Sequence, residues 1–356
     1  MDSNEENHKI RPARLSCNGP NKTEVNPKYI LPPSERPRLA EVVSSSEGCI
    51  PTLDLTGLDG PQRQGLIAQI KQSCEVGVFQ IINHGVSEEL MENMMEVSNG
   101  FFKMPVEDHA ELYIENPKAT ARLYTSSIVG KEKVCNWREI LRLSCQYPLE
   151  QTINSWPPKP QAFRDIAAKY CTEVRALILR ILTAISEALG LDPDYLSKCM
   201  GTHRQVMAVN YYPMCPNPEL TFGIPPHSDP TVVTVLQQGD LSGLQVLKNG
   251  KWIAVEPIPN AFVVNVADQL EVISNGRFRS VEHRAVTNST KARISIPTFY
   301  GPSTDAFIAP AKSLVIEECG HPALYRGFIF EEYLKKYKSQ ELKSKTVLDC
   351  FKINIE

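Results

Sequence analysis

Chemistry is most legible at His227-Ser228-Asp229. On an extended strand, residues two apart project from one face, so this imidazole and this carboxylate can reach a single metal ion. Taken alone, a His-x-Asp run fits a surface strand with a half-buried histidine and a solvated aspartate just as well. His283, in Val281-Glu282-His283-Arg284-Ala285-Val286, supplies a third ligand. Several turn-separated apolar runs lie between, so a rolled antiparallel sheet can return this strand beside the first. Two histidines and one carboxylate on one face, with three coordination positions open, form the ligand set of non-haem Fe(II) oxygenases. Zinc hydrolases draw on the same residue types, so the ligands leave iron and zinc both open. Ten residues past His283, Arg293-Ile294-Ser295 repeats the two-residue spacing. A guanidinium clamps a carboxylate through two parallel hydrogen bonds, and a hydroxyl adds a third donor. The pair reads as a seat for a dicarboxylate co-substrate.

These residues need strands to hold them, and from about residue 205 the chain becomes short apolar runs separated by turn signals. Leu244-Gln245-Val246-Leu247, Asn249-Gly250 and Trp252-Ile253-Ala254-Val255 predict a hairpin, because Asn-Gly adopts the positive φ angles of a type I′ turn. A second Asn-Gly, Asn275-Gly276, separates Leu270–Ile273 from Phe278–Val281 and predicts another. With the runs Thr231–Leu236, Phe262–Val266 and Arg293–Tyr300, a sandwich or barrel of antiparallel strands follows. Earlier, strands are expected at Ile50–Leu55 and Val76–Asn83, and helices from about Pro61, over 87–104 and over 160–190, the last closed by Gly190. Helical period returns from Phe328 to Phe351. Residues 1–27 are rich in Asn, Lys, Glu and Pro without a hydrophobic period and read as a flexible tail.

The whole set resembles a plant 2-oxoglutarate- and Fe(II)-dependent dioxygenase over roughly residues 28 to 340. The resemblance rests on Asn83-His84-Gly85-Val86, Asn210-Tyr211-Tyr212-Pro213, His227-Ser228-Asp229-Pro230, His283 and Arg293-Ile294-Ser295. Within that family, Arg122-Leu123-Tyr124-Thr125-Ser126-Ser127, Asn136-Trp137-Arg138-Glu139 and Leu141-Arg142-Leu143 are similar to the downy-mildew-resistance branch, associated with salicylate hydroxylation, flavone formation and flavanone 3-hydroxylation. The resemblance implies an α+β fold: a double-stranded β-helix (jelly-roll) core over 201–310, a mostly helical region over 28–200 and a C-terminal helical segment over 311–356. It implies that His227, Asp229 and His283 bind iron, and that Arg293 and Ser295 hold the distal carboxylate of 2-oxoglutarate. Asn210 and Tyr212 would help at the metal-bound end. Phe299 would stack on an aromatic substrate, with Tyr124 at the pocket mouth; plain core packing is the competing reading for both rings. O2 and ascorbate as reductant are implied too. The expected activity is hydroxylation or desaturation of a flavonoid or a phenolic such as salicylate. Alternatives are an iron oxidase relative that does not use 2-oxoglutarate, whose members also keep Arg-x-Ser, and the same chemistry on an alkaloid or hormone. Two departures from the family pattern stand out: Ala267-Asp268 where many relatives have Gly-Asp, and the run Thr231–Leu236.

Composition excludes other classes. With 356 residues, 42% hydrophobic and 22% charged, the chain can bury a full core, and a net charge of −3 gives no general reason to bind nucleic acid or an anionic membrane. The most apolar stretch, Val174–Leu189, is interrupted by Arg175, Arg180 and Glu187, unlike a bilayer span. Met1–Asn7 lacks the apolar core of a secretory signal, and the ten cysteines form no Cys-x-x-Cys pair. A cytoplasmic monomer with free thiols and a small-molecule substrate is expected. His84 is expected to serve packing or hydrogen bonding, and His8, His109, His203 and His321 to be exposed.

Overall fold

The computed structural model describes residues 24–44, 50–113, 116, 118–125, 134–316, 322–339 and 346–353. In chain order the first elements are β1 (Thr52–Asp54), α1 (Arg63–Val76), β2 (Val78–Ile82), α2 (Glu88–Lys103), β3 (Ala121–Tyr124) and β4 (Glu139–Cys145). Then come α3 (Phe163–Ala188), α4 (Tyr195–Cys199), β5 (Arg204–Tyr212), β6 (Ile224–His227), β7 (Val233–Gln237), β8 (Leu244–Lys248), β9 (Lys251–Ala254) and β10 (Phe262–Val266). The last are α5 (Asp268–Ile273), β11 (His283–Ala285), β12 (Arg293–Gly301), β13 (Phe307–Ile308), β14 (Phe328–Ile329), α6 (Phe330–Ser339) and α7 (Thr346–Asp349).

From β5 to β12 the chain crosses between two sheets at every step except the β8–β9 hairpin, which is the jelly-roll winding that the resemblance implies. The larger sheet has eight strands in the order β1-β2-β10-β7-β12-β5-β4-β3, and the smaller has four, β6-β11-β8-β9. All neighbours are antiparallel except β1 and β2. Alternation along each strand splits the side chains between two environments. On the outer face of the large sheet, Phe79, Val235, Met207 and Leu141 join α1, α2 and α3 in one hydrophobic core. On the inner face, Val78, Leu236 and Val263 pack against Leu244 and Val246 of the small sheet, closing one end of the sandwich. The other end keeps polar residues between the sheets, and there the site lies.

Local signals explain most element ends. The 26-residue α3 buries Tyr170, Val174, Ile178, Ile181 and Ile185 at helical spacing. It stops where Gly190 (φ 74°) donates to the Glu187 carbonyl and Leu191 to that of Ser186, a Schellman cap. Ser87 caps α2 by accepting from the Leu90 amide, with Glu88 and Glu89 beside the positive helix end. Asn249 and Gly250 (φ 51° and 76°) make the β8–β9 turn as expected.

Three expectations are corrected. Leu270–Ile273 is not a strand but the body of α5, all six residues of which are buried; an apolar run buried on all sides carries no period that separates strand from helix. Asn275-Gly276 accordingly caps that helix, with Asn275 (φ 53°) donating to the Val272 carbonyl and Gly276 to that of Glu271. His109 is fully buried, its Nε2 hydrogen-bonded to the Phe101 carbonyl at 2.8 Å, and His203 bridges the Ser197 carbonyl and the Tyr300 hydroxyl. His8 and His321 lie outside the described residues. His84 does serve hydrogen bonding: Nε2 meets the Asn260 carbonyl at 2.9 Å and Nδ1 accepts from the Val86 amide. Among the described residues every cysteine is a free thiol.

Candidate active site

Strands β6 and β11 run antiparallel with His227 and His283 as direct partners, which sets the two imidazoles 4.3 Å apart between ring centres. Asp229, two residues past His227, places one carboxylate oxygen 3.7 Å from the Nε2 of His227 and the other 3.6 Å from that of His283. One ligand atom from each residue lies within 4.8 Å of the others, a spread that a single ion can bridge. Each Nδ1 faces a backbone carbonyl, Pro225 at 2.9 Å for His227 and Val281 at 3.3 Å for His283. A carbonyl only accepts, so Nδ1 carries the proton and each Nε2 turns a lone pair to the centre. Burial, and next the neighbouring His283, hold the His227 pKa well below the ordinary imidazole value. Asp229 is only 2% exposed and its Oδ2 has no hydrogen-bond partner. A buried carboxylate oxygen without a donor is costly unless a cation faces it. The donor set therefore fits a divalent metal.

The loop carrying these ligands is held from behind. The Asp268 amide donates to the Asp229 carbonyl at 2.9 Å, and the Ser228 hydroxyl donates to the Asp268 carboxylate at 3.1 Å. Tyr333 of α6 donates its hydroxyl to the same carboxylate. Burial drives the Asp268 pKa up to about 6, against the pull of the hydrogen bonds from Ser280, Tyr333 and Ser228. One turn along α6, Tyr337 has its pKa raised by burial first and then by the charges of Asp229 and Asp268. The departure at Ala267 costs nothing, since its backbone is extended (φ −114°, ψ 172°). Sequence reasoning gave Asp268, Tyr333 and Tyr337 no role at the site, because only the tertiary fold brings α6 behind the metal loop.

Across the gap, β12 pairs with β5 so that Arg293 faces Tyr212 and Ser295 faces Asn210 on the inner side of the large sheet. The Arg293 guanidinium is buried, spends Nε on the Leu241 carbonyl at 2.9 Å, lies 5.3 Å from the Tyr212 ring and leaves Nη2 without a partner. Burial lowers its pKa, and Tyr212 pulls the other way. Two glycines make room: a Cβ on Gly223 would sit 2.5 Å from Tyr212 Cδ1, and one on Gly243 would sit 3.0 Å from Arg293 Cδ. Among the described residues Arg293 forms no ion pair, so a buried cation with a free N–H awaits a carboxylate. The strand pairings also put Phe299 and Tyr124 on the inner face, both half-buried, with the Arg122 guanidinium 5.4 Å over the Tyr124 ring. Arg138 reaches the side-chain oxygen of Asn210 at 3.4 Å, and its Nε is buried without a partner.

Comparisons with known proteins give the family. A family profile described as the 2OG-Fe(II) oxygenase superfamily matches residues 203–302, and one described as non-haem dioxygenase in morphine synthesis N-terminal matches 50–159. The chain is 50% identical over 329 residues to DMR6-LIKE OXYGENASE 2 of Arabidopsis thaliana, covering 92% of this chain and 94% of that one. The chain belongs to the 2OG-Fe(II) oxygenase superfamily. This oxygenase is thus a 2-oxoglutarate-dependent dioxygenase that works with Fe(II), and the residues described above suit both groups. It is also 46% identical to flavanone 3-dioxygenase 2 of Oryza sativa subsp. japonica, over 91% of this chain and 93% of the relative. Among solved structures, JOX2 in complex with 2OG, Fe and JA superposes with a TM-score of 0.83 at 35% identity, covering 94% of this chain and 95% of that one.

Proposed function

We propose that His227, Asp229 and His283 hold the iron, that Arg293 and Ser295 seat the distal carboxylate of 2-oxoglutarate, and that a small aromatic specialised metabolite, a flavonoid or phenolic, is hydroxylated or desaturated between the sheets. The observation that carries this reading is the pair of orphaned buried atoms, Asp229 Oδ2 just past β6 of the small sheet and Arg293 Nη2 on β12 of the large one. One calls for a cation and the other for a carboxylate. Asn210 and Tyr212 steady the co-substrate end of the site, Tyr212 by holding the guanidinium in place. Bound iron and 2-oxoglutarate supply the activation of O2 and the oxidation of a C–H bond, with succinate and CO2 released. The protein's own part is positioning: Phe299 and Tyr124 offer ring faces to an aromatic substrate, and the closed end of the sandwich excludes water. We read the enzyme as a cytoplasmic monomer; among the described residues no helix is long and apolar enough to cross a membrane.

The test is O2-dependent succinate release from 2-oxoglutarate by the Fe(II)-loaded protein, with ascorbate present and flavanones and phenolic acids added in turn. Stimulation by one compound, with a product heavier by one oxygen or lighter by two hydrogens, is the expected result. No succinate under any condition from folded, iron-loaded protein would overturn it.

A further inference from the structure

The run Asn136-Trp137-Arg138-Glu139 ends beside the co-substrate seat, yet neither the metal ligands nor the Arg293 seat draws on it. Its backbone is firmly placed. The Trp137 amide donates to the Phe222 carbonyl at 2.8 Å, its indole Nε1 donates to the Pro213 carbonyl at 3.1 Å, and its buried ring meets the edge of Tyr29 at 5.0 Å between centres. Three anchors on one residue leave the next little freedom. Arg138, the residue before β4, turns its guanidinium to Asn210, with Nη1 3.4 Å from the side-chain oxygen.

Two donors are left unspent at that contact. Arg138 Nε is buried without a hydrogen-bond partner, and among the described residues the guanidinium forms no ion pair. Since Asn210 Oδ1 faces a guanidinium, the other arm of its amide is an NH2, which only donates. After burial and the neighbouring His283, the Arg138 charge is among the influences that hold the His227 pKa down, so the guanidinium lies within electrostatic reach of the metal site. A cationic N–H and an amide NH2 converging there suit a carboxylate.

The other unspent guanidinium of the cleft completes the pattern. Arg293, on β12 beside Tyr212, keeps Nη2 free, and the strand order β12-β5-β4 sets its backbone two strand spacings, roughly 10 Å, from the chain that carries Arg138. Long side chains reaching inward from both sides shorten that gap to what a five-carbon diacid, hydrogen-bonded at each end, can span. There is one cation for each carboxylate.

We propose that Arg138 is a further co-substrate-binding residue: with Asn210 it donates to the carboxylate at the metal-bound end of 2-oxoglutarate, while Arg293 and Ser295 keep the distal one. This deepens the oxygenase reading above and rests on it. It also gives the Asn-Trp-Arg-Glu run a task, since Trp137, backed by Tyr29, aims the arginine.

The test titrates the full chain, loaded with Fe(II) and kept without O2, by the visible charge-transfer band that a 2-keto acid gives on chelating Fe(II). Two probes are used: 2-oxoglutarate, and 2-oxopentanoate, which has a methyl group in place of the distal carboxylate. Arg138→Gln should weaken both about tenfold or more, the scale of a charge-assisted hydrogen bond, with its iron content unchanged. Arg293→Lys should weaken 2-oxoglutarate alone. Arg138→Lys should recover part of the affinity, because the charge stays and the planar fork is lost. The band is a second readout: at saturation with 2-oxoglutarate its wavelength should shift in Arg138→Gln, where the chelating carboxylate has lost a donor, and hold in Arg293→Lys. An unchanged 2-oxoglutarate affinity in Arg138→Gln, or weaker binding with an unshifted band, would overturn the assignment and leave the oxygenase reading standing. Failure of the unsubstituted, iron-loaded chain to give the band with 2-oxoglutarate would sink both.

Discussion

Single residues decide whether this site works, and their substitution should give distinguishable failures. Asp229→Ala removes the carboxylate whose two oxygens face the two histidines and should abolish turnover, with bound iron falling from one equivalent to near zero by metal analysis of the purified variant. Arg293→Lys keeps the charge and loses the planar fork, so the KM for 2-oxoglutarate should rise about 10- to 100-fold, the scale of a lost charged hydrogen bond, while the metal content holds. His84 makes a pH prediction. Burial lowers its pKa below the ordinary 6.5, partly offset by the Asn260 carbonyl and Glu88. The unfolded chain therefore takes up a proton that the folded one refuses, so the stability His84 contributes is complete above about pH 6.5 and is lost as the pH falls towards the folded value. His84→Gln should be less stable at pH 7.5 yet show a flatter fall in melting temperature between pH 7.5 and 5; an unchanged slope would exclude His84 as the acid-sensitive group. At this scale the sequence was highly legible, because the two-residue pitch of a strand and the donor chemistry of His, Asp and Arg are local properties. His109 was not, because nothing in the polar run around it reveals that the Phe101 carbonyl is waiting inside.

Among elements, α6 illustrates how far a helix can act from the chemistry. Tyr333 ties it to Asp268, which holds both Ser228 and the backbone of Asp229. Tyr333→Phe keeps the ring in the core and removes one hydrogen bond to a buried carboxylate, so it should cost about 1–3 kcal/mol of stability and weaken iron retention several-fold, read by denaturant titration and by competition with a chelator. Undiminished iron affinity would show that the metal loop holds itself. Turns were legible when their surroundings agreed with them. Asn249-Gly250 lies between runs whose alternate residues face a core, and it made the expected hairpin. Asn275-Gly276 follows a run buried on every side, where the same dipeptide and the same positive φ angles finish a helix instead. The dipeptide specifies a left-handed corner; the elements entering it decide what the corner joins.

For the whole molecule, the jelly roll brings together residues on both sides of a cleft, and metal binding should be felt throughout. An ion that binds only the folded state stabilises by RT ln(1 + [L]/Kd), about 2.7 kcal/mol at one hundred times Kd. Adding Mn(II) to metal-free protein should thus raise the melting temperature by a few degrees, and the Asp229→Ala variant should not respond. The winding of the catalytic strands could be anticipated, since β5 to β12 announce themselves as short runs between turns. The joining of β1 to β4 to that sheet could not, because strand order depends on contacts between distant segments that no local pattern encodes. That joining divides the labour: His227, His283 and Arg293 lie on β6, β11 and β12, with Asp229 just past β6, whereas the strands beside Asn210 and Ala208 form an edge hairpin, β3–β4, that contributes none of those groups. Inward positions of that hairpin are the natural targets for a mutagenesis library, because changes there can redirect what the enzyme accepts while its oxygen chemistry is inherited intact.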